Sequence, residues 1–517
     1  MKYLSVILFV YLFTYSSVAA SSHADDQPVV VATLDELRET IKRAKPGWVI
    51  EIPAGKFTLK RDLELKRLQG TPDTPITIRA QQPLQTEFSG DHIIKIRDSQ
   101  HFVLEGFRFT LKSDVHGKSG ALSVRNCHHC RITGNDFQLD ETGTDDKNQT
   151  WLTIDGESSG HHRVDHNRFA SKTKKGHYLF ITGEDDFVSQ HDVIQGNHFV
   201  DRGYGNDQNE YETIRVGESN IGNVDGKSHT KIIGNLFQRC QGEDEIVSLK
   251  VGGCLFLDNT VINCHGSVVF RDGSDGVCAG NFFLNTYTDH PFAAFRAGGV
   301  RFYGSGHRVY NNYFEGLDGT SLKAPLAIMH GAPAGSGALG VADGLPATDC
   351  VVVHNTWVRC SQLRLGHASK KRPLPPQNCE FSNNIVFETK DSQLLQLYEA
   401  DGIRCRNNLL LANRSKETGI EKMNVQNNEF MVVDPKLKKQ EGIYRLASGS
   451  PAIDAAHGTF DFVQSDINAI PRDEQPDIGA DEFRPNWTMR RKPLIASEVG
   501  PGDLQSPNHV SNQGNQP

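Results

Sequence analysis

The sequence predicts an all-β chain wound as a right-handed parallel β-helix, a solenoid with a short N-terminal capping helix and an irregular C-terminal closing segment. Three observations carry this. First, one phrase recurs, a glycine, asparagine or other polar residue before Asn with an apolar residue soon after. It runs from Gly134-Asn135-Asp136-Phe137 through Gly196-Asn197-His198-Phe199 and Gly280-Asn281-Phe282-Phe283 to Asn407-Asn408, at intervals of 22 to 43 residues. Second, short β-type runs such as Cys350-Val351-Val352-Val353 precede the phrase. Third, 517 residues exceed what one compact core absorbs, roughly 250–300, whereas a solenoid extends its core lengthwise.

The physical reading of the phrase is local. An Asn at a strand-ending corner takes a left-handed turn, its amide bonds the next Asn when coils stack, and the aromatic or aliphatic residue after it fills the core. A ragged period with a floor near 22 fits three short strands per coil with loops of varying length. Handedness follows from the crossover rule for parallel strands. A β-propeller would want a more uniform repeat and a tryptophan or other aromatic per blade, and the chain has only four Trp.

In chain order, residues 1–20 read as a signal peptide: Lys2, the apolar run from Leu4 to Phe13, then small residues up to Ala20, placing the product outside the cytoplasm, secreted or periplasmic. Thr33-Leu34-Asp35-Glu36 is a capping box; Leu37, Ile41 and Ala44 continue it at helical spacing until Pro46-Gly47. The β-helix is expected over 28–430. Beyond Phe430 the Asn phrase ends, and 431–496 read as turn-rich closing structure. Residues 497–517, rich in Gly, Pro, Ser, Asn and Gln, read as a disordered tail.

With 55 Lys+Arg against 63 Asp+Glu and a net charge of -8, the chain lacks the basic excess that drives nucleic-acid binding, and no later run is long and apolar enough to span a membrane. Nothing in it signals an oligomeric state. Cys127-His128-His129-Cys130 has half the ligands of a zinc site without a second pair at ligand spacing. The remaining cysteines, among them 240/264 and 254/278, read as small buried hydrophobes stacked in successive coils.

The densest ionisable strand is Glu243-Asp244-Glu245-Ile246-Val247-Ser248-Leu249-Lys250. Residues i and i+2 of a strand share a face, so Glu243 and Glu245 converge while Asp244 points away. Two adjacent carboxylates repel, and a hard cation relieves them. Arg271 follows at about the shortest repeat step, so Lys250 and Arg271 can occupy adjacent rungs of one face. Read alone, such charges also suit a plain solvated face.

These motifs, Glu243-x-Glu245-Ile246 with Lys250, Arg271-x-Gly273 and the upstream Glu212-Thr213-Ile214-Arg215-Val216-Gly217, resemble polysaccharide lyase family six, the family of alginate lyases and chondroitinase B. The resemblance spans about Thr33 to Phe387. It implies a parallel β-helix that cleaves uronate polysaccharides by β-elimination with Ca2+. It further implies Lys250 as base, Arg271 as acid, and Asn209, Glu243 and Glu245 as metal ligands. Arg301, Tyr303 and Arg215 are the implied substrate-binding residues. Many relatives carry Arg-His-Gly where this chain has Arg271-Asp272-Gly273. The implied partner is an acidic polysaccharide, alginate favoured over a glycosaminoglycan such as dermatan sulfate. A hydrolase, a C5 epimerase and a non-catalytic uronan-binding β-helix are the competing readings.

Overall fold

The computed structural model describes residues 27–112, 120–142, 148–184, 187–218, 227–333, 344–421, 429–485 and 491–505. The expected signal peptide therefore lies outside the described residues.

Three parallel sheets run the length of the chain, two of 14 strands and one of 12. The first runs from Val29–Val30 to Ile403–Arg406, the second from Leu63–Lys66 to Leu395–Leu397, and the third from Gly55–Leu59 to Phe430–Val432. Each strand pairs with the equivalent strand of the coils before and after it, as in Phe180, Arg215 and Ser248 standing in register on three successive coils. This is a parallel β-helix. One continuous apolar core fills it, including Ile50, Phe109, Ile154, Phe237, Val268, Phe314 and Leu395.

The Asn phrase builds one corner. Ten asparagines, from Asn135 to Asn408, are fully buried there, and each side-chain amide donates to the next one's Oδ1 at 2.9–3.2 Å. The left-handed residue is not the ladder Asn but the one before it: Gly134, His166, Gly196, Gly234, Asp258, Gly280, Asn311, His354, Asn383 and Asn407 all have positive φ. That is why the preceding position holds only Gly, Asn, Asp or His, the residues that tolerate this conformation. Two residues after the Asn, aromatic rings stack inside the coil, Phe137 on Phe169 at 4.5 Å and Phe314 on Trp357 at 4.9 Å.

The helix Leu34–Ile41 packs Leu37 and Ile41 into the core at the N-terminal end, with Thr33 Oγ1 accepting from the Glu36 amide at 3.1 Å and Glu36 accepting from the Ala32 amide at 2.8 Å. Among the described residues no helix is long and apolar enough to cross a membrane.

The segment after the last coil lies along the side of the solenoid. The antiparallel strands Leu437–Gln440 and Ile443–Leu446 begin it. Ile443, Ile467 and Ala480 then cover Phe282, Tyr313 and Val358 on the outer face of the third sheet, and Leu446, Ala452 and Ile478 cover Ile385 and Leu409. The chain next runs back toward the N-terminus: Leu494 N donates to Thr260 Oγ1 at 2.8 Å and Gly500 N to Gly196 O at 2.7 Å. The disorder expected from residue 497 onward is thus not found at 497–505, which form two 3₁₀ turns with Val499 buried. Gly500 lends the Gly196 corner a backbone donor, which composition does not reveal. Residues 506–517 lie outside the described residues.

All ten cysteines are buried and unbridged. Cys127 and Cys130 point into the core beside each other, a poor fit to a zinc site. Cys240 and Cys264 stack on adjacent coils, the Cys240 amide donating to the Cys264 sulfur at 3.3 Å. The 254/278 pair does not stack, because Cys278 stands in register with Phe256.

Candidate active site

The second sheet carries the predicted residues on four consecutive strands, Ile214–Val216, Glu245–Leu249, Gly266–Phe270 and Ala297–Phe302. Leu249 pairs with Phe270, so Lys250 and Arg271 leave adjacent strand ends one coil apart, and the Arg271 amide donates to Leu249 O at 2.8 Å.

A register shift between Glu245 and Val247 positions the first carboxylate. In an unbroken strand Glu245 would share the inward face of Val247. The bulge changes that, and Glu245 shares a side with Ser248, whose Oγ donates to Oε2 at 2.5 Å. The other oxygen, Oε1, accepts from Arg271 Nη1 at 2.7 Å and Arg301 Nη2 at 2.5 Å. Burial alone would raise the Glu245 pKa, but the two guanidinium groups hold it below the usual carboxylate range. Gly266, at φ 94°, lies under the bend of the Glu243-Asp244 backbone, where a Cβ would sit 2.3 Å from Glu243 O.

Glu243 accepts from the Tyr211 amide at 3.0 Å and shares a hydrogen bond with the carboxyl of Glu212. Burial, then Glu212 and Glu245, push its pKa upward. Glu212 is itself held by His177 Nε2 at 3.0 Å, and His177 Nδ1 lies 3.2 Å from Thr150 Oγ1. Burial keeps His177 below the usual histidine pKa range despite Glu212. Lys250 is lowered as well, by burial first and then by the positive charges of Arg215 and Arg271.

The structure therefore brings Glu243, Glu245, Lys250, Arg271, Arg301 and Arg215 into one neighbourhood. Arg215 lies over the Phe180 ring at 5.3 Å, and its Nε donates to Gly217 O at 3.3 Å. Asn209 is exposed on the preceding loop, and among the described residues no hydrogen bond links it to Glu243 or Glu245. Tyr303 is 4% exposed and packed on Ala324, Ala327 and Met329, with Arg372 over its ring at 5.1 Å. Its strand position follows Phe302, the register partner of Phe270, and its amide donates to Phe270 O at 2.9 Å, one coil on from Arg271. Asp272, at the position that departs from the family pattern, is buried.

Sequence reading missed Glu212 and His177 as site residues. Glu212 stood in a quoted motif, but only the register, in which Thr213 N bonds Ile246 O at 2.9 Å, reveals that it faces the carboxylates of the next coil. Asp244 turns away from its neighbours, as expected, and joins Asp207 and His265 in a group with metal-ligand proximity. Lys323 bonds Asp244 and lies 3.7 Å from Asp207, so one ammonium offsets part of the charge of the two carboxylates, and His265 Nε2 lies 2.8 Å from Asp207 Oδ1.

The Glu212, Glu243 and Glu245 carboxyls suit a hard cation by chemistry, but among the described residues the ligand atoms that come together as a metal group are those of Asp207, Asp244 and His265. The glutamate donors are all oxygens, as a hard cation prefers, and two of the three carboxyls are pressed into a mutual hydrogen bond. Ser267, the register partner of Glu245, is buried with a hydroxyl that has no hydrogen-bond partner among the described residues.

The fold places the molecule among the parallel β-helices. The chondroitinase B family model matches residues 31–458, and the chain belongs to that family. Among solved structures it resembles the PL6 family alginate lyase AlyGC, with a TM-score of 0.69 at 22% identity over 91% of this chain. It spans 60% of the AlyGC chain. The PL6 family polysaccharide lyase Pedsa3628 from Pseudopedobacter saltans matches at a TM-score of 0.59 and 20% identity, over 92% of this chain and 99% of that one. A mannuronic acid specific family 6 lyase from human gut microbiota matches at 0.61 and 22%, over 75% and 86%. No curated protein sequence matches the chain.

Proposed function

We propose that the protein is an exported, calcium-dependent polysaccharide lyase that cleaves a uronate-containing polysaccharide, alginate by preference, by β-elimination. The observation that carries this is the placing of Lys250 and Arg271 on adjacent strand ends beside one buried carboxylate, with Arg271 fixed by Glu245 at 2.7 Å.

The chemistry follows from these groups. Neutral Lys250 accepts the C5 proton of the uronate; the C5–H electron pair forms the C4=C5 double bond, and the C4–O4 bond breaks toward oxygen. Arg271 donates to the departing O4, its fork held in place by Glu245. Burial and the neighbouring guanidinium groups favour the neutral amine on Lys250 that this step requires. Glu243 and Glu245, with Asn209 on the family pattern, are the residues that would hold Ca2+, and the ion, when bound, neutralises the uronate carboxylate and so acidifies C5. Arg215 and Arg301 add positive charge for a polyanionic chain; the arginines of the cluster suit an acidic polysaccharide better than a neutral one.

A second reading, cleavage of dermatan sulfate, is favoured by the family model, which is that of chondroitinase B. Alginate is preferred because AlyGC and a second similar structure, a PL6 enzyme in complex with a trisaccharide, are described as alginate lyases. The test is to incubate the purified chain with alginate, dermatan sulfate and polygalacturonate and follow ultraviolet absorbance from the conjugated C4=C5 uronate. Growth on alginate is expected. Growth on dermatan sulfate alone selects the second reading, reducing ends without absorbance mean a hydrolase, and neither signal overturns the lyase.

A further inference from the structure

Two long connections and two short ones shape the margin of the second sheet. The coils that carry Lys250 and Arg271 enter the sheet through the short connections 241–244 and 263–265, whereas the coils on either side of them enter through the longer connections 203–213 and 285–296. The long connections meet across the short ones: the rings of Tyr204 and Phe292 stack at 4.2 Å with 22° between their planes. Resting on the reading of the chain as a uronate-polysaccharide enzyme, we infer that this aromatic arch is a stacking subsite, on which one sugar ring of the polysaccharide lays its C–H face beside the bond to be cleaved.

The arch is held from several sides. His265 is fully buried and lies against both rings, its centroid 5.2 Å from that of Tyr204 and 5.4 Å from that of Phe292. Its Nδ1 accepts from the Arg296 amide at 2.9 Å, so the ring proton sits on Nε2, which donates to Asp207 Oδ1 at 2.8 Å. One histidine thereby ties the two long connections together. Asp207 Oδ2 accepts from the Tyr204 hydroxyl at 3.0 Å and fixes the direction of that ring. On the other side Phe292 meets Phe295 edge to face at 5.6 Å, and the Phe295 amide donates to Phe292 O at 2.9 Å.

Phe295 belongs to the continuous core, yet Tyr204 and Phe292 stay half-buried at the rim, with Asn206, Asp207 and Gln208 exposed alongside. Aromatic rings edged by hydrogen-bonding side chains match a pyranose, which has an apolar C–H face and a rim of hydroxyls. Charge then orients the sugar. Asp207 and Asp244 keep the arch side negative, since Lys323 offsets only part of their charge. Arg301 begins the positive side: its Nη1 donates at 3.1 Å to the carbonyl of Leu322, the neighbour of Lys323. A uronate ring therefore turns its hydroxyls to the arch and its carboxylate to the arginines. The arch reads the face and hydroxyls of the sugar, which the charged groups of the site do not.

The experiment has two readouts on the full chain. In steady-state kinetics on alginate, followed by ultraviolet absorbance, Tyr204→Ala and Phe292→Ala should each raise KM by about tenfold or more while kcat stays within about threefold, the sign of binding shared by ground and transition states. Tyr204→Phe keeps the ring and should hold KM within about threefold of the parent. Phe292→Leu keeps apolar bulk without a flat face and should behave like Phe292→Ala. The second readout needs no turnover: migration in a native gel cast with alginate, each substitution placed on Lys250→Ala so that the gel is not consumed. Lys250→Ala alone should be retarded, and its combinations with Tyr204→Ala or Phe292→Leu should be retarded less, with Tm little changed. Parental KM and migration in Phe292→Leu, or a fall in kcat at unchanged KM in both alanine variants, overturns the inference. If no ultraviolet absorbance develops, the lyase reading fails by itself and the gel still decides the subsite. A parent chain that neither alginate nor dermatan sulfate retards overturns the subsite as well.

Discussion

Lys250 and Arg271 owe their pairing to strand register, and their roles can be separated by substitution. Each to Ala should lower turnover by about 10²–10⁴-fold, read by ultraviolet absorbance, with Tm nearly unchanged because neither side chain belongs to the core. Glu245→Gln should also lose activity, but excess calcium should restore part of it, since the lost charge weakens ion binding. Lys250→Ala should show no such rescue, because added ion cannot accept the C5 proton. Equal rescue of both variants would show that the two roles are wrongly divided. The lowered pKa of Lys250 sets the pH dependence: only the neutral amine is a base, so the rate should rise with pH and level off once Lys250 has lost its proton, below the ordinary lysine range. Lys250→Arg, charged throughout, should be inactive at every pH.

At the scale of elements, two of the three corners of the coil differ in chemistry. Asn235 accepts from the Asn197 amide and side chain at 2.9 and 3.0 Å and donates to Ile194 O and Asn259 Oδ1 at 2.9 and 3.0 Å, all in the buried corner. Asn235→Ala leaves several of these groups unpaired at about 1–3 kcal/mol each, so a lowered Tm is expected, with catalysis at low temperature retained. A second corner carries His101, His129, His161, His191 and His229, left-handed in φ and stacked at 4.6 to 5.0 Å. Partial burial and then the neighbouring imidazoles lower the pKa of His129 and His161, and burial, His191 and Lys227 lower that of His229. The unfolded chain then binds more protons than the folded one, so their contribution is complete above about pH 6.5 and is lost as pH falls toward the lowered folded values. A denaturant series from pH 7.5 to 5 should show falling stability, and His129→Asn with His161→Asn, which keep the left-handed backbone, should flatten the slope.

The whole molecule is a single solenoid whose C-terminal segment covers one side. Residues 437–483 hide Phe282, Tyr313, Val358, Ile385 and Leu409, which a free third sheet would present to water. Truncation after Val433 should therefore give a chain that aggregates, detected by light scattering, rather than a smaller soluble enzyme. Truncation after Arg484 removes only contacts such as Leu494 to Thr260 and Gly500 to Gly196, and should lower Tm while leaving the chain monodisperse.

The sequence alone was enough for the fold, the Asn ladder, the capping helix and the candidate pair Lys250 and Arg271, because each is written in local chemistry repeated along the chain. A buried amide ladder needs Asn at every coil, and a left-handed corner restricts the residue before it. The family to which the chain belongs was likewise legible in the Glu243 to Gly273 motifs. What only the tertiary structure decided were relations across coils: Glu212 meeting Glu243, the bulge that sends Glu245 out to Arg271 and Arg301, the burial of Tyr303, and the return path of residues 494–500 along the solenoid. Loops of unequal length set which residues of successive coils face one another, and a one-residue bulge reverses the side on which a side chain emerges; neither register nor bulge has a signature in the order of residue types.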